Sequence, residues 1–488
     1  MNTHLSESTL SQANPSLNTF DYDRSKVQVG IVHLGPGAFH RAHQAYYTDE
    51  LLRAGHLDCG ICEVSVNSPD IRDALQAQDN LYTLAVLDRE CEYRCIGAIK
   101  EFLVAPENPG KVIERLADTK VKVVTLTITE KGYCLTPEGG LDTNNARIQH
   151  DLDNIDKPQT ALGFLVAGLH KRWLAGDKPF VPLSCDNLTD NGRRLQKSVI
   201  EFATRLNPEF AAWIEKEVKF PCTMVDSITP ATNDDIRAEV SEKIGLSDAW
   251  PIQRERFTQW VIEEVEGAEL PPWETVGATL SGDVRGYEAT KLRILNGMHS
   301  SLAFVGLLSG KASVEEAVTE PAIRQFVEGM LSQEIIPTVP EVEGLDRAAY
   351  GRDILQRFEN PAIRHLLSQI AWDSSQKIPF RILGTVEDNQ QAGRASAKLC
   401  FALASWMMFI RDAAANSAKI TDPMADKLVE IAKSCTGDTA DVDQFLALRQ
   451  IFPEVLVNSE QFVKSVKNAY ERIGSARGED LLAVISAF

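Results

Sequence analysis

VQVGIVHLGPGAFHRAHQAYYTDELLRAG, residues 27–55, carries the reading of the fold. Its first nine residues form a short apolar, β-branched run, which predicts a buried strand. From Ala38 the pattern turns helical, and Gly55 ends it. Between the two lies HLGPGAFH (33–40), a glycine-containing turn at a strand–helix junction. Such a turn lets the backbone approach a phosphate, and the helix N-terminus adds free N–H groups and the positive end of its dipole. Gly35 and Gly37 supply the first two glycines of a dinucleotide fingerprint, with Ala38 and Phe39 opening the helix; His40 stands where the third glycine belongs. A bare GxG also serves tight turns that bind nothing. Its place at the first strand–helix junction of an alternating domain is what points to a nucleotide.

The segments that follow keep the alternation. CGICEVSV (59–66) reads as a second strand, LYTLAVL (81–87) and YRCIGAI (93–99) as an antiparallel pair, and 109–120 as a helix. VKVVTLTIT (121–129) is another buried strand; a helix over 159–175 precedes FVPLSCDN (180–187), a strand running into a polar turn. Strand–helix alternation of this kind predicts an α/β, Rossmann-type domain with a mostly parallel sheet. At the end of the second strand, SVNSPD (65–70) has no acid in the usual ribose-binding place. Asn67 and Asp70 are the candidates there. Arg72 could meet a 2′-phosphate or be a surface arginine, so NAD is expected and NADP stays open.

After about residue 282 the texture changes to helical periods alone: 287–309, 313–331, 347–357, 361–372, 391–415, 423–435, 440–448, 459–473 and 478–487. The expected organisation is a mobile or loosely docked arm over 1–24, a dinucleotide-binding domain over 25–283 and an all-α substrate domain over 284–488. No internal repeat or low-complexity tract interrupts it.

Within the helical half, YEATKLRILNGMHS (287–300) is unusual. At about 100° per residue, Glu288, Lys291, Asn296 and His299 share an arc of roughly 140° with Leu292 and Leu295. An amine, a carboxylate, an amide and an imidazole on a half-apolar face suit proton transfer; a charged helix capping a core is the plain alternative. Other polar residues stand in apolar settings. Asp186 and Asn187 follow a strand, where ligands sit in open α/β sheets, though Asp and Asn also cap helices. Glu130 and Lys131 end another strand, Asp226 lies in PCTMVD (221–226), and Lys377 and Arg381 occur in QKIPFR (376–381). Such a Lys/Arg pair is commonly surface charge, but it could also hold a carboxylate.

Bulk properties narrow the function classes. The 488 residues are 44% hydrophobic and 24% charged, enough for more than one domain. The net charge of −19 argues against a general binder of nucleic acid or anionic membrane. The polar N-terminus carries no signal-peptide core, and no run of 18 apolar residues exists. The nine cysteines, scattered and odd in number, fit reduced thiols in a cytoplasm. Cys59 and Cys62 form a lone CxxC in a strand without a second pair, so no metal site is expected.

The chemistry that uses this set is hydride transfer at a carbinol carbon. A nicotinamide moves the hydride, a side chain takes or gives the hydroxyl proton, and donors stabilise the alkoxide-like oxygen. Lys291 can do the proton work only if a cleft lowers its pKa well below about 10.4. Asn187 and Asn296 can donate amide N–H bonds, and His299 can bond a neighbouring hydroxyl.

KLRILNGMHS resembles the KxRxxNxxH signature of the long-chain polyol (mannitol-type) dehydrogenases. GPGAFHRAHQAYYTDELL resembles their nucleotide motif, in which Phe-His follows GxG, so the missing third glycine is a family trait. SCDN and VDSITP match in order, over residues 27–485. Within the family, GICEV (60–64), TEKGYC (129–134) and PCTMVD look most like fructuronate reductases (mannonate oxidoreductases). The resemblance implies a Rossmann-type domain, a helical domain and an active site drawing on both. It makes Lys291 the general acid/base, Asn187 and Asn296 the oxyanion site, Asp226, His299 and Lys377 substrate contacts, and Glu288 the support of the lysine. The chain departs from the family at Asp373-Ser374-Ser375-Gln376, where DGSQ is usual, and at SVNSPD.

The expected activity is therefore hydride transfer between NAD(H) and a linear sugar acid, D-fructuronate/D-mannonate, with Lys131, Lys377 and Arg381 as candidates for the carboxylate. The alternatives are a mannitol 2-dehydrogenase or other polyol (arabinitol, sorbitol) dehydrogenase, a tagaturonate/altronate oxidoreductase and, more remotely, a non-catalytic nucleotide sensor. A monomer or weak homo-oligomer is expected.

Overall fold

The computed structural model describes residues 3–136 and 139–488. Two units, Met1–Arg285 and Gly286–Phe488, separate by their internal contacts, two residues beyond the boundary expected from the sequence.

In the first unit a five-stranded, wholly parallel sheet runs in the order Ile99–Val104, Gly60–Ser65, Val29–Leu34, Val123–Leu126, Val181–Ser184. The chain starts at the centre of the sheet and winds outward in both directions, the doubly wound arrangement. Both faces are covered, which is why these strands read as nearly continuous apolar runs. Val32, Leu34, Val64 and Leu126 face one core with the helix Ala161–Ala175; Ile31, Ile61 and Val123 face the other with the helix Gln44–Arg53. The expected helix over 38–55 is broken at His43, whose backbone (φ −118°, ψ −82°) separates Ala38–Ala42 from Gln44–Arg53.

Two smaller sheets accompany the large one. One joins Leu17–Asn18, Glu92–Ile96, Tyr82–Leu87 and Ile252–Glu255; the other joins Thr279–Ser281, Gln259–Glu263 and Thr223–Asp226. The antiparallel pair expected at 81–99 is present as Tyr82–Leu87 against Glu92–Ile96. The expected loose arm is a correction. Leu17–Asn18 is an edge strand, Leu5 and Leu17 are buried, and Arg24 donates buried bonds to the Gly97 and Ile99 carbonyls. Residues 3–24 are thus docked; Met1 and Asn2 of that arm lie outside the described residues.

The second unit is helical; among the described residues no strand follows Ser281. Met298–Leu308 and Ala397–Ala415 are buried along most of their length and pack together with Glu460–Ile473 as the centre of the unit. Three segments, Lys291–Gly297, Leu331–Ile335 and Pro379–Leu383, are wound as π-helix. The helix expected over 361–372 shrinks to Leu367–Ile370, whereas Ser374–Ile378 and Gly384–Gln391, not anticipated, are helical. No helix among the described residues is long and apolar enough to cross a membrane.

Candidate active site

At the carboxyl ends of the large sheet's strands, Gly35 takes φ +98°, and a Cβ there would lie 2.3 Å from the Thr127 carbonyl oxygen. Only glycine fits this turn, and Gly37 then caps the helix Ala38–Ala42. The turn opens onto a 310 Å³ cavity whose walls include Gly37, Asn67, Thr127, Lys131, Arg147 and Thr160. A second cavity of 470 Å³ shares Val66, Asn67 and Arg147 with it; Ala105, Pro106, Pro109 and Phe164 form its apolar walls, and His150 and Lys157 its basic rim. A phosphate cradle beside a flat apolar slot fits a dinucleotide, whose pyrophosphate takes backbone N–H groups and whose adenine takes the apolar wall.

Several sequence expectations find their places here. Gly35, Gly37 and Asn67 line the cleft. Phe39 stacks on His43 at 5.0 Å and, with Ala38, packs on the core beneath, so their side chains support the turn. Asp70 does not line either cavity; exposed at the start of the helix Asp70–Gln76, it accepts a bond from Ser68 Oγ. Arg72 is held in a two-pronged pair by Glu107 at 2.6 and 2.9 Å. Lys131, a candidate for the substrate carboxylate, lines the same cavity as Gly35, Gly37 and Asn67. Asp186 accepts the Ile128 and Thr129 amides and the Tyr133 hydroxyl, which makes it a brace of the cleft. Asn187 follows it, exposed, and Asp226 is buried at the end of its strand. Arg147 was not anticipated, being one basic residue of a polar stretch.

Behind the turn lies a cluster that the sequence reading passed over. Glu63, His33 and Thr125 are register partners on three adjacent strands and share one sheet face. His33 Nδ1 lies 2.7 Å from Thr125 Oγ1, and His33 Nε2 lies 3.0 Å from the Gly35 carbonyl oxygen. A carbonyl only accepts, so Nε2 carries the proton and Nδ1 accepts from the threonine hydroxyl. The His40 ring stacks on His33 at 3.3 Å between centroids, and His40 Nε2 lies 2.6 Å from Glu63 Oε1. The two histidines and Glu63 have no exposed surface. Burial holds both imidazoles well below their usual range and pushes the Glu63 carboxyl up to about 7. The three side chains are close enough together to suggest a metal site, but both His33 nitrogens already have partners.

In the second unit, Glu288, Lys291 and Asn296 are half-buried and His299 is buried. The α-helical wheel that grouped them needs correction: Lys291–Gly297 is π-wound, so their angular spacing is not that of 3.6 residues per turn. Gly297 lets this segment meet a second π-wound one, since a Cβ there would lie 2.7 Å from the Arg381 carbonyl oxygen. His299 stacks on Phe358 and meets His365 edge-on at 4.5 Å. Burial, then the positive potential of His365, Arg381, Arg357 and Lys377, holds its imidazole neutral. His299 Nε2 and His365 Nδ1 are buried without hydrogen-bond partners among the described residues.

Among the described residues, Arg381 and Lys377 form no ion pair, although Asp373 and Asp422 lie near enough to Lys377 to favour its charge. Arg381 bonds Ser300 Oγ at 3.1 Å, and burial alone lowers it to about 10. Lys377 donates to the Ile370 and Trp372 carbonyls, and burial lowers it too. Among the described residues, no carboxylate pairs with either. His365 was missed because it lay inside a stretch read as helix.

Known proteins match along the whole of this arrangement. Residues 29–275 match the mannitol dehydrogenase Rossmann domain and 283–474 the mannitol dehydrogenase C-terminal domain. The chain belongs to the mannitol dehydrogenase family. An uncharacterised oxidoreductase of Escherichia coli K12, YeiQ, is 40% identical over 93% of each chain. D-mannonate oxidoreductase of the same organism is 39% identical over 99% of this chain and all of its own. The solved Pseudomonas fluorescens mannitol 2-dehydrogenase, a ternary complex with NAD and D-mannitol, aligns over 99% of both chains with 34% identity and a TM-score of 0.82. The resemblance drawn from the sequence motifs and the Rossmann-plus-helical architecture are both shown by these matches.

Proposed function

We propose that this member of the mannitol dehydrogenase family is an NAD(H)-dependent oxidoreductase that interconverts a ketone and a secondary alcohol on a linear sugar acid, D-fructuronate and D-mannonate. Arg381 and Lys377 carry this reading. They are basic groups set about a buried imidazole, and among the described residues neither forms an ion pair; Asp373 and Asp422 act on Lys377 from a distance, whereas no acid offsets the burial of Arg381. A charge left unpaired in a protein interior is costly, and a ligand carboxylate supplies its missing partner. An uncharged polyol, such as the mannitol bound by the Pseudomonas relative, leaves that cost in place.

A bound nicotinamide cofactor supplies the hydride chemistry; the chain's own residues do the rest. Gly35, Gly37 and Asn67 hold the nucleotide. Lys291 gives and takes the hydroxyl proton, supported by Glu288. Asn187 and Asn296 donate amide N–H bonds to the oxygen as negative charge develops on it. Asp226 and His299 bond the hydroxyls of the substrate chain, while Arg381 and Lys377 hold its carboxylate. Lys131, on the wall of the nucleotide cleft, is reassigned from the carboxylate to the cofactor.

The reading is tested by kcat/KM for D-mannonate, D-altronate, D-mannitol and D-arabinitol with NAD and with NADP. We expect mannonate with NAD to lead mannitol by about 100-fold, the worth of one charge-assisted contact. A preference for an uncharged polyol would sink the sugar-acid assignment. Lys291→Ala should lower kcat at least about 100-fold; near-normal turnover would remove it from the proton step.

A further inference from the structure

Resting on the nucleotide-binding reading, we propose that Glu63, His40 and His33 form a positioning relay behind the cofactor turn: His33 fixes the Gly35 carbonyl, and the proton held between Glu63 and His40 sets how strongly the turn accepts the cofactor's pyrophosphate.

The geometry makes the relay continuous. The Gly35 carbonyl accepts from His33 Nε2 at 3.0 Å and from Thr127 Oγ1 at 2.8 Å, and Thr127 itself lines the cleft. Fixing that carbonyl fixes the peptide plane leading into Pro36 and Gly37, and so aims the helix N-terminus that would meet the phosphates. His33 can hold it only as the Nε2–H tautomer. Thr125 selects that tautomer by donating to Nδ1, and the stacked His40 ring covers the imidazole. His40 in turn faces Glu63, and among the described residues neither Glu63 oxygen has another hydrogen-bond partner.

The charge balance follows from what surrounds Glu63. His33 and His40 face it and stay neutral in the burial that excludes their charge. Arg41 beside His40 is the permanent positive charge, steadied by Tyr82 and Asp248 as well as by Glu63. Tyr82 also lies near the carboxyl and is held protonated by burial, while Cys62, on the opposite face of the strand, is held protonated too. Glu63 is thus the group of this set that changes charge near neutrality, losing its proton as pH rises through about 7. The carboxylate so formed lies behind the turn, where it opposes the pyrophosphate and draws the proton of His40 Nε2 toward itself. Glu63 is therefore a positioning residue, acting through the histidines.

The test uses the full-length protein and ADP-ribose, which carries the pyrophosphate and has no group titrating between pH 5.5 and 8.5. Calorimetric Kd values across that range should rise at least about threefold above pH 7 in the wild type. In Glu63→Gln they should stay tight and flat. Retention of the same pH dependence in Glu63→Gln overturns the relay alone. Failure of the wild type to bind at any pH overturns the nucleotide reading and the relay with it. If Glu63→Gln does not fold, wild-type titrations at pH 7.5 in buffers of different ionisation enthalpy decide: fractional proton uptake on binding supports the relay, and none overturns it.

Discussion

Two buried clusters of ionisable side chains, one in each unit, are built in opposite ways. In the first unit, Glu63, His40, His33 and Thr125 close on one another, and the acid is part of the set. In the second, His299 and His365 lie among Arg381, Lys377 and Arg357, and no acid pairs with Arg381 or Lys377 among the described residues. A cluster that contains its own counter-charge is complete as folded, and its work is to hold something still. A cluster in which burial of Arg381 is offset by no acid among the described residues leaves room for an anionic ligand, the proposed substrate carboxylate.

The comparison is broken most directly by truncating each cluster. His40→Ala removes a fully buried ring and strands Glu63, which should cost about 3 kcal/mol of stability. Arg381→Met removes a half-buried charge that has no ion-pair partner among the described residues, so stability should hold or rise by about 1 kcal/mol. Activity should invert the order, Arg381→Met losing about 100-fold in kcat/KM for mannonate and far less for mannitol. Urea midpoints and steady-state kinetics on the two variants check this. A strongly destabilised Arg381→Met with unchanged mannonate kinetics would make the second cluster structural like the first.

Acid sharpens the contrast with a smaller effect. His33 and His40 are held neutral down to about pH 3 and His299 is held well below the usual imidazole range, so below pH 6.5 the unfolded chain binds protons that the native rings refuse. Stability should therefore fall as pH drops below about 6.5. Glu63 works the other way. Its raised carboxyl contributes stability that is present below about pH 4.5 and lost as pH rises through about 7. Inside the first cluster one histidine is thus offset, whereas His299 has nothing to offset it. Moving from pH 6.5 to 5.0 should cost about 3 kcal/mol in the wild type and about 1.5 kcal/mol less in His299→Phe, and that difference is the smaller effect read from urea midpoints. An unchanged pH slope in that variant would mean that His299 is charged in the native state.

How much of this was legible in the sequence follows from what each feature needs. The strand–turn–helix at 27–55 is local, and its apolar run and glycines announce it. The short strands Ile252–Glu255 and Gln259–Glu263 gain their identity from partners far away in the chain, Tyr82–Leu87 and Thr223–Asp226, so no local period marks them. The first cluster was missed because the surrounding apolar run read as a buried strand regardless of one His or Glu within it. The usable signal was that His33 and Glu63 both occupy inward positions of strands covered on both faces. The second cluster was half legible. Lys377, Arg381 and His299 stood out as polar residues in apolar settings. His365 lies outside regular structure, and π winding alters the wheel on which Lys291 was grouped with its neighbours.

The smallest predicted effect separates position from charge. Gly297→Ala leaves every titratable group in place but puts a methyl where the Arg381 carbonyl oxygen would lie 2.7 Å away. The segment Pro379–Leu383 must shift by a few tenths of an ångström, costing about 1 kcal/mol of stability. That displacement moves the guanidinium proposed to hold the carboxylate. It should raise KM for mannonate several-fold, leave KM for mannitol nearly unchanged, and leave ADP-ribose affinity untouched because the first cluster is intact. An equal loss on both substrates would show that the two π-wound segments serve the proton-transfer step in common, and the carboxylate would then have to be held elsewhere.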